Sequence, residues 1–132
     1  MKNNFSYSRK EKLKSRKLAD EVFTKGKFIS VAPLKAFFIC PAELPDNKVK
    51  AGVSVSSRNF KKAADRNRIK RLMREAYRKN KNTIYDVCDD RKKCIAVFFL
   101  FTGREIPDYY LVETKMKTLL KKLSNELASQ NT

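Results

Sequence analysis

Hydrophobic positions along this chain follow two periods, and the switches between them mark its elements. From Ser15, the residues Leu18, Ala19, Val22 and Phe23 recur at helical spacing, and Gly26 stands where a helix C-terminal glycine belongs. Pro33 opens the next element. Leu34 to Cys40 is apolar and aromatic, broken only by Lys35, and has the length of a strand. Pro41 to Lys48, with Pro41, Pro45 and Asp46-Asn47, predicts a turn. Val49 to Ser57 alternates: Val49, Ala51, Val53 and Val55 share one face, Lys50, Gly52, Ser54 and Ser56 the other. That is a half-buried strand, expected to be the hairpin partner of the first. A basic connector, Arg58 to Lys62, leads into a helix from about Lys62 to Lys79. Residues 80–93 are polar with a few apolar positions (Ile84, Tyr85, Val87), enough for an irregular helical turn. Cys94 to Phe101 has no polar face and predicts a central strand. Thr102-Gly103-Arg104 ends it. Pro107-Asp108 starts a last helix with a continuous apolar stripe of Val112, Met116, Leu119, Leu120, Leu123 and Leu127.

The order helix, strand, strand, helix, strand, helix predicts an α+β sandwich with one sheet face covered by helices. The other face, or its groove with the first helix, is left over. No repeat and no long linker divides the chain, so residues 1–132 form one expected domain, with 1–12 and 128–132 expected to be mobile.

Composition narrows the chemistry. With 31 Lys and Arg against 14 Asp and Glu, the net charge is +17, far beyond what solubility needs, which points to nucleic acid or an anionic membrane. No apolar run approaches the roughly 18 residues of a spanning helix, and Met1-Lys2-Asn3-Asn4-Phe5 lacks a signal-peptide core, so a cytoplasmic location is expected. There is no His, which excludes Ser/His and Cys/His catalysis. Cys40, Cys88 and Cys94 have no CxxC spacing and are read as free thiols.

The second helix carries the strongest signal. With Ile69 at the top of a helical wheel, Leu72, Met73 and Ala76 gather around it and Tyr77 lies at the edge, while Asn67, Lys70, Arg71, Arg74 and Arg78 fall opposite. Like charges at i,i+4 repel, so a face of Arg, Lys and Asn with almost no acid is suited to a polyanion. Arginine forks pair bidentately with phosphate, and Asn reaches phosphate, sugar or a base edge.

Ala51-Gly52-Val53-Ser54-Val55-Ser56, followed by Arg66-Asn67-Arg68-Ile69-Lys70-Arg71-Leu72-Met73-Arg74-Glu75-Ala76-Tyr77-Arg78, closely resembles the signature of the bacterial ribonuclease P protein subunit: a strand, a basic connector and an RNR helix. Phe23-Thr24-Lys25-Gly26 also matches that family's first-helix ending, and the resemblance spans roughly residues 9–127. It implies a single-domain fold like a domain of ribosomal protein S5, with a left-handed β-α-β crossover around the RNR helix. It implies a ribonucleoprotein endonuclease, a hydrolase that removes the 5′ leader of precursor tRNA. The RNA subunit does the chemistry with Mg²⁺ that it mainly binds itself, and the protein, a monomer without membrane or DNA partners, assists. Carried over by position, Arg58, Lys61, Lys62, Arg66, Asn67, Arg68, Lys70, Arg71, Arg74 and Arg78 would contact the ribonuclease P RNA. Phe23, Lys35, Phe37 or Phe38, Lys50, Ser54 and Ser56 would line a cleft for the single-stranded leader, with aromatics stacking on bases. No catalytic residue is expected in the protein.

Blander readings stand beside these. Phe23, Phe37 and Phe38 have core spacing as much as platform spacing. Ser54 and Ser56 fit an ordinary solvent face, and Lys115, Lys117, Lys121 and Lys122 read as solvated. Asp65, Glu75 and Asp89-Asp90 are too scattered for a metal site. Two other functions compete: a non-enzymatic RNA-binding module of ribosomal or chaperone type, and a DNA-binding protein using the basic helix in a major groove, for which no dimerisation element is evident.

Overall fold

The computed structural model describes residues 11–13, 15–42, 44 and 48–129. Its elements are α1 (Arg16–Lys25), β1 (Lys27–Val31), β2 (Leu34–Ile39), β3 (Val49–Val55), α2 (Ala63–Asn80), α3 (Asn82–Arg91), β4 (Ile95–Phe101) and α4 (Tyr109–Ser129). Side-chain caps mark the starts of α1 and α4. Ser15 Oγ accepts from the Leu18 amide at 3.2 Å, and Asp108 Oδ1 accepts from the Leu111 amide at 2.8 Å.

The strands form one sheet in the order β1-β2-β4-β3. β2 runs antiparallel to both β1 and β4, while β3 runs parallel to β4. The fold is therefore the expected α+β sandwich, but the expected hairpin between the second and third strands is absent. β4 lies between them. The physical reason is the all-apolar Ile95–Phe101, which needs a neighbour along each edge and cover on both faces. The amphipathic β2 and β3 satisfy its edges. The chain passes from β3 to β4 through α2 and α3, the crossover that a parallel pair requires.

Both sheet faces are covered, unequally. On one face Leu34, Ala36, Phe38, Val49, Ala51, Val55, Ile95, Val97, Phe99 and Phe101 pack against Ile69, Met73, Ala76 and Tyr77 of α2, Ile84 and Cys88 of α3, and the apolar stripe of α4. Truncating a central residue here costs about 2–5 kcal/mol. On the other face α1 makes a smaller core: Val22, Ala96 and Leu13, with Leu18, Phe37, Ile39 and Phe98 against them.

Three local differences from the sequence reading follow. Strand β1 occupies a stretch without an assigned element, pairing with β2 across the Ala32–Pro33 turn. Residues 80–93 hold a ten-residue helix rather than a single turn, because Ile84 and Cys88 at i,i+4 are both fully buried. Gly26 does end α1, but in extended conformation (φ −78°). A Cβ there would meet the Val22 carbonyl oxygen at 2.2 Å and that of Phe38 at 2.7 Å, so close backbone approach demands the glycine.

The expectation of a loose start lies outside the described residues for 1–10. At 11–13 the chain is docked. Lys12 bridges to Ala51 in parallel register, and the Leu13 amide donates to the Ala51 carbonyl at 2.9 Å. Glu11 accepts from Lys81 Nζ at 2.6 and 2.8 Å, with side chains 7% and 1% exposed. At the other end, residues 128 and 129 still belong to α4, and 130–132 lie outside the described residues.

Candidate RNA interface

Helix α2 turns Ile69, Met73, Ala76 and Tyr77 into the core. The stripe Asn67, Arg71, Arg74 and Arg78, spaced i, i+4, i+7 and i+11, therefore lies on the opposite side. Asn67, Arg71 and Arg74 are exposed, and Arg68 and Lys70 flank the stripe, exposed and half-buried respectively. Arg58, Lys61 and Lys62 are exposed on the connector before the helix.

Two members of the set have protein partners. Arg66 donates through Nη1 to the carbonyls of Phe60 at 2.7 Å and Lys61 at 2.9 Å, so it folds the connector back on the helix start. Arg78 donates through Nε and Nη2 to the two carboxylate oxygens of Glu75 at 3.1 and 2.7 Å. The Arg78 hydrogen bond holds the Glu75 carboxyl below its usual range.

The proposed cleft residues sort by strand parity. On the α1 face, strand register sets three rows. They are Ile39–Ala96–Lys50, then Phe28–Phe37–Phe98–Gly52, then Ser30–Lys35–Leu100–Ser54. α1 covers the first row through Val22 against Ala96. Phe23, 42% exposed, sits over the second, its ring centroid 5.1 Å from Phe37 and 5.0 Å from Phe98. Lys35 and Ser54 lie half-buried in the third, and Ser56 follows just past the end of β3. Lys50 lies on the far side of the rings from Ser54.

Phe38 does not belong to this set. It is 2% exposed on the face covered by α2, α3 and α4, and period-two alternation leaves Phe37 as the partner that looks toward α1. Phe98 and Phe28 were missed. Phe98 is hidden in a run with no polar face, which gives no inside–outside signal, and Phe28 sits in a segment too short to show its period. Gly52 lets the Phe98 ring lie over the backbone, since a Cβ there would meet that ring at 3.1 Å.

The stripe and the cleft meet. Arg74, Lys12, Gly52 and Phe98 line a common notch of about 170 Å³ at the β3 edge. Among the described residues no cluster of three acidic or thiol side chains suits a metal ion. No helix there is long and apolar enough to cross a membrane.

Comparison with known proteins gives the family. The family described as Ribonuclease P matches residues 7–124. A Porphyromonas gingivalis protein described as ribonuclease P protein component is 34% identical over 125 residues, covering 95% of this chain and 91% of that protein. One of the same description from Chlorobium phaeobacteroides is 29% identical, covering 87% and 86%. Two solved structures of the Staphylococcus aureus RNase P protein superpose with TM-scores of 0.60 and 0.54 at 15% and 17% identity, a likeness of fold. The first covers 86% of this chain and 94% of that one. On the matched profile and these relatives, the chain belongs to the ribonuclease P protein family.

Proposed function

We propose that this chain binds the RNA subunit of ribonuclease P through the α2 stripe and lays the single-stranded 5′ leader of precursor tRNA in the α1–sheet cleft. The observation that carries this reading is the junction at Arg74, where a cationic helix face and a row of aromatic rings share one notch. Phosphates meet guanidinium forks on one side, and unpaired bases meet ring faces on the other. Among the described residues no three acidic or thiol side chains group to hold a metal ion. Glu75 is taken up by Arg78. On this reading Mg²⁺ and hydrolysis belong to the RNA, and the protein's part is binding and orientation. A monomer acting in the cytoplasm fits this role.

The test is cleavage of precursor tRNA by a bacterial ribonuclease P RNA at low millimolar Mg²⁺. Three conditions compare: no protein, the native chain, and the double variant Arg71→Glu/Arg74→Glu. Protein-dependent leader release that the variant loses is expected. With it, the log–log salt slope of RNA binding should flatten by about 0.7–0.9 per lost phosphate contact. Tight RNA binding without stimulation of any compatible RNA would refute the reading and leave a general RNA-binding module.

A further inference from the structure

The ring row of the cleft does not stop at β2. Its β1 member is Phe28, directly opposite Phe37 in register, with centroids 5.9 Å apart. β1 is the edge of the sheet, and Phe28 is 58% exposed there. An exposed Phe on an edge strand is a liability that proteins ordinarily replace with charge or proline. Lys35 Nζ stands 4.8 Å from the Phe28 centroid and 5.8 Å from that of Phe37, one ammonium shared between two ring faces.

We propose that Phe28 and Lys35 form an outer stacking station for RNA, taking one unpaired nucleobase and its phosphate beyond those held at Phe23, Phe37 and Phe98. The proposal rests on reading the cleft as the leader's path. Phe23, Phe37 and Phe98 are packed on one another at 5.0 and 5.1 Å, so each gives part of its ring surface to a neighbouring ring. Phe28 touches this cluster only at its rim and keeps most of its surface open. In the free protein the Lys35 ammonium rests on it. An arriving base takes that ring face, and the flexible ammonium swings to the phosphate of the same nucleotide. Cation–π contact is thus exchanged for a stack and an ion pair, with no charge left stranded. Stacking accepts every base, so the station reads the presence of a nucleotide rather than its identity.

The experiment uses the holoenzyme assembled with a ribonuclease P RNA and precursor tRNAs whose leaders lengthen one nucleotide at a time. Affinities are compared for the native chain, Phe28→Leu, Phe28→Ala and Phe28→Tyr, with 2-aminopurine placed at successive leader positions to report stacking by quenching. Native affinity should rise as the leader reaches the outer station. Phe28→Leu and Phe28→Ala should lose that last gain, about 5- to 150-fold, along with quenching at the outermost position. Phe28→Tyr should keep both, and the shortest leaders should bind all four proteins alike. If Phe28→Leu retains the gain and the quenching, Phe28 is an edge residue only and the proposal fails while the cleft stands. A native affinity indifferent to leader length would overturn both.

Discussion

The buried pair of Glu11 and Lys81 offers the sharpest test of how the amino-terminal segment is held. The ammonium lies 2.6 and 2.8 Å from the two carboxylate oxygens, and neither side chain is more than 7% exposed. Lys81 also sits where α2 passes into α3, its carbonyl accepting from Ile84 and Tyr85. Glu11→Gln would leave a buried ammonium facing a neutral amide. Stranding one partner of such a pair costs about 3–5 kcal/mol, a large share of the ~5–15 kcal/mol that typically holds a domain. At about 4 °C per kcal/mol, that lowers Tm by ~10–20 °C. Undocking the segment is the cheaper escape, since it lets water reach Lys81. The loss is then capped at the segment's own docking energy, and the Leu13 amide, bonded to the Ala51 carbonyl at 2.9 Å, must lose its protection. The assay joins urea unfolding with amide hydrogen exchange at Leu13. Replacing both partners, as in Glu11→Leu/Lys81→Met, should recover most of the loss, because two apolar groups need no mutual partner. The reasoning is refuted if Glu11→Gln leaves both stability and Leu13 protection unchanged. It is equally refuted if the double replacement is no better than the worse single one.

Other consequences can be measured on the same material. Glu75→Gln removes the carboxylate that holds Arg78 at 2.7 Å and should tighten binding to the RNA subunit, with a salt slope steeper by up to about one; unchanged affinity and slope would place Arg78 outside the interface. Lys92 ends α3 at φ 53°, a left-handed conformation that suits glycine, so Lys92→Gly should raise unfolding stability by about 0.5–1 kcal/mol in urea titration, and a loss would contradict that backbone assignment. Burial pushes the Cys88 thiol from about 9.0 up to about 12. The folded state therefore keeps a proton that the unfolded state releases, so this group's contribution is complete below about pH 9 and fades as pH rises toward 12. Cys88→Ala should flatten that alkaline slope, and Ellman titration should find Cys40 reactive and Cys88 silent until unfolding. With a net charge of +17, sulfate should raise Tm by screening self-repulsion; identical melting with and without it would count against that expectation.

The elements most legible in the sequence were those with one wet face and one dry face. α2 and α4 announce themselves by 3.6-residue periodicity, and β3 by alternation, since burying one face forces each register. Pairing was not legible. Alternation in Val49–Val55 fits any neighbour, and only the folded sheet reveals that β4, apolar on both faces, must take the central place between β2 and β3. The same gap divides the candidate site. Arg71 and Arg74 could be placed from spacing alone. Phe37 and Phe38 are adjacent aromatics of equal hydrophobicity, so choosing between them needs the strand's parity relative to the core. Leu34 and Ala36 on the dry side settle it for Phe38. Glu11 looked like one more charge in a basic stretch, because a partner 70 positions away leaves no local trace.

That topology has a functional consequence. An RNR helix packed behind the sheet and a cleft in front of it would be separate surfaces if β3 lay in the middle. β3 is instead the edge strand beside β4, and α2 follows it after a short connector, so the outward stripe of α2 runs along that edge. Buried Gly52 leaves room for the Phe98 ring over its backbone, and Lys12 on the docked segment bridges to Ala51 beside it. Arg74 therefore lines the same notch as Phe98. On the proposed reading, one RNA surface passes around the β3 edge from guanidinium to aromatic through that notch. Loss of the segment at Lys12 and Leu13 should then weaken leader binding even though neither residue belongs to the RNR helix.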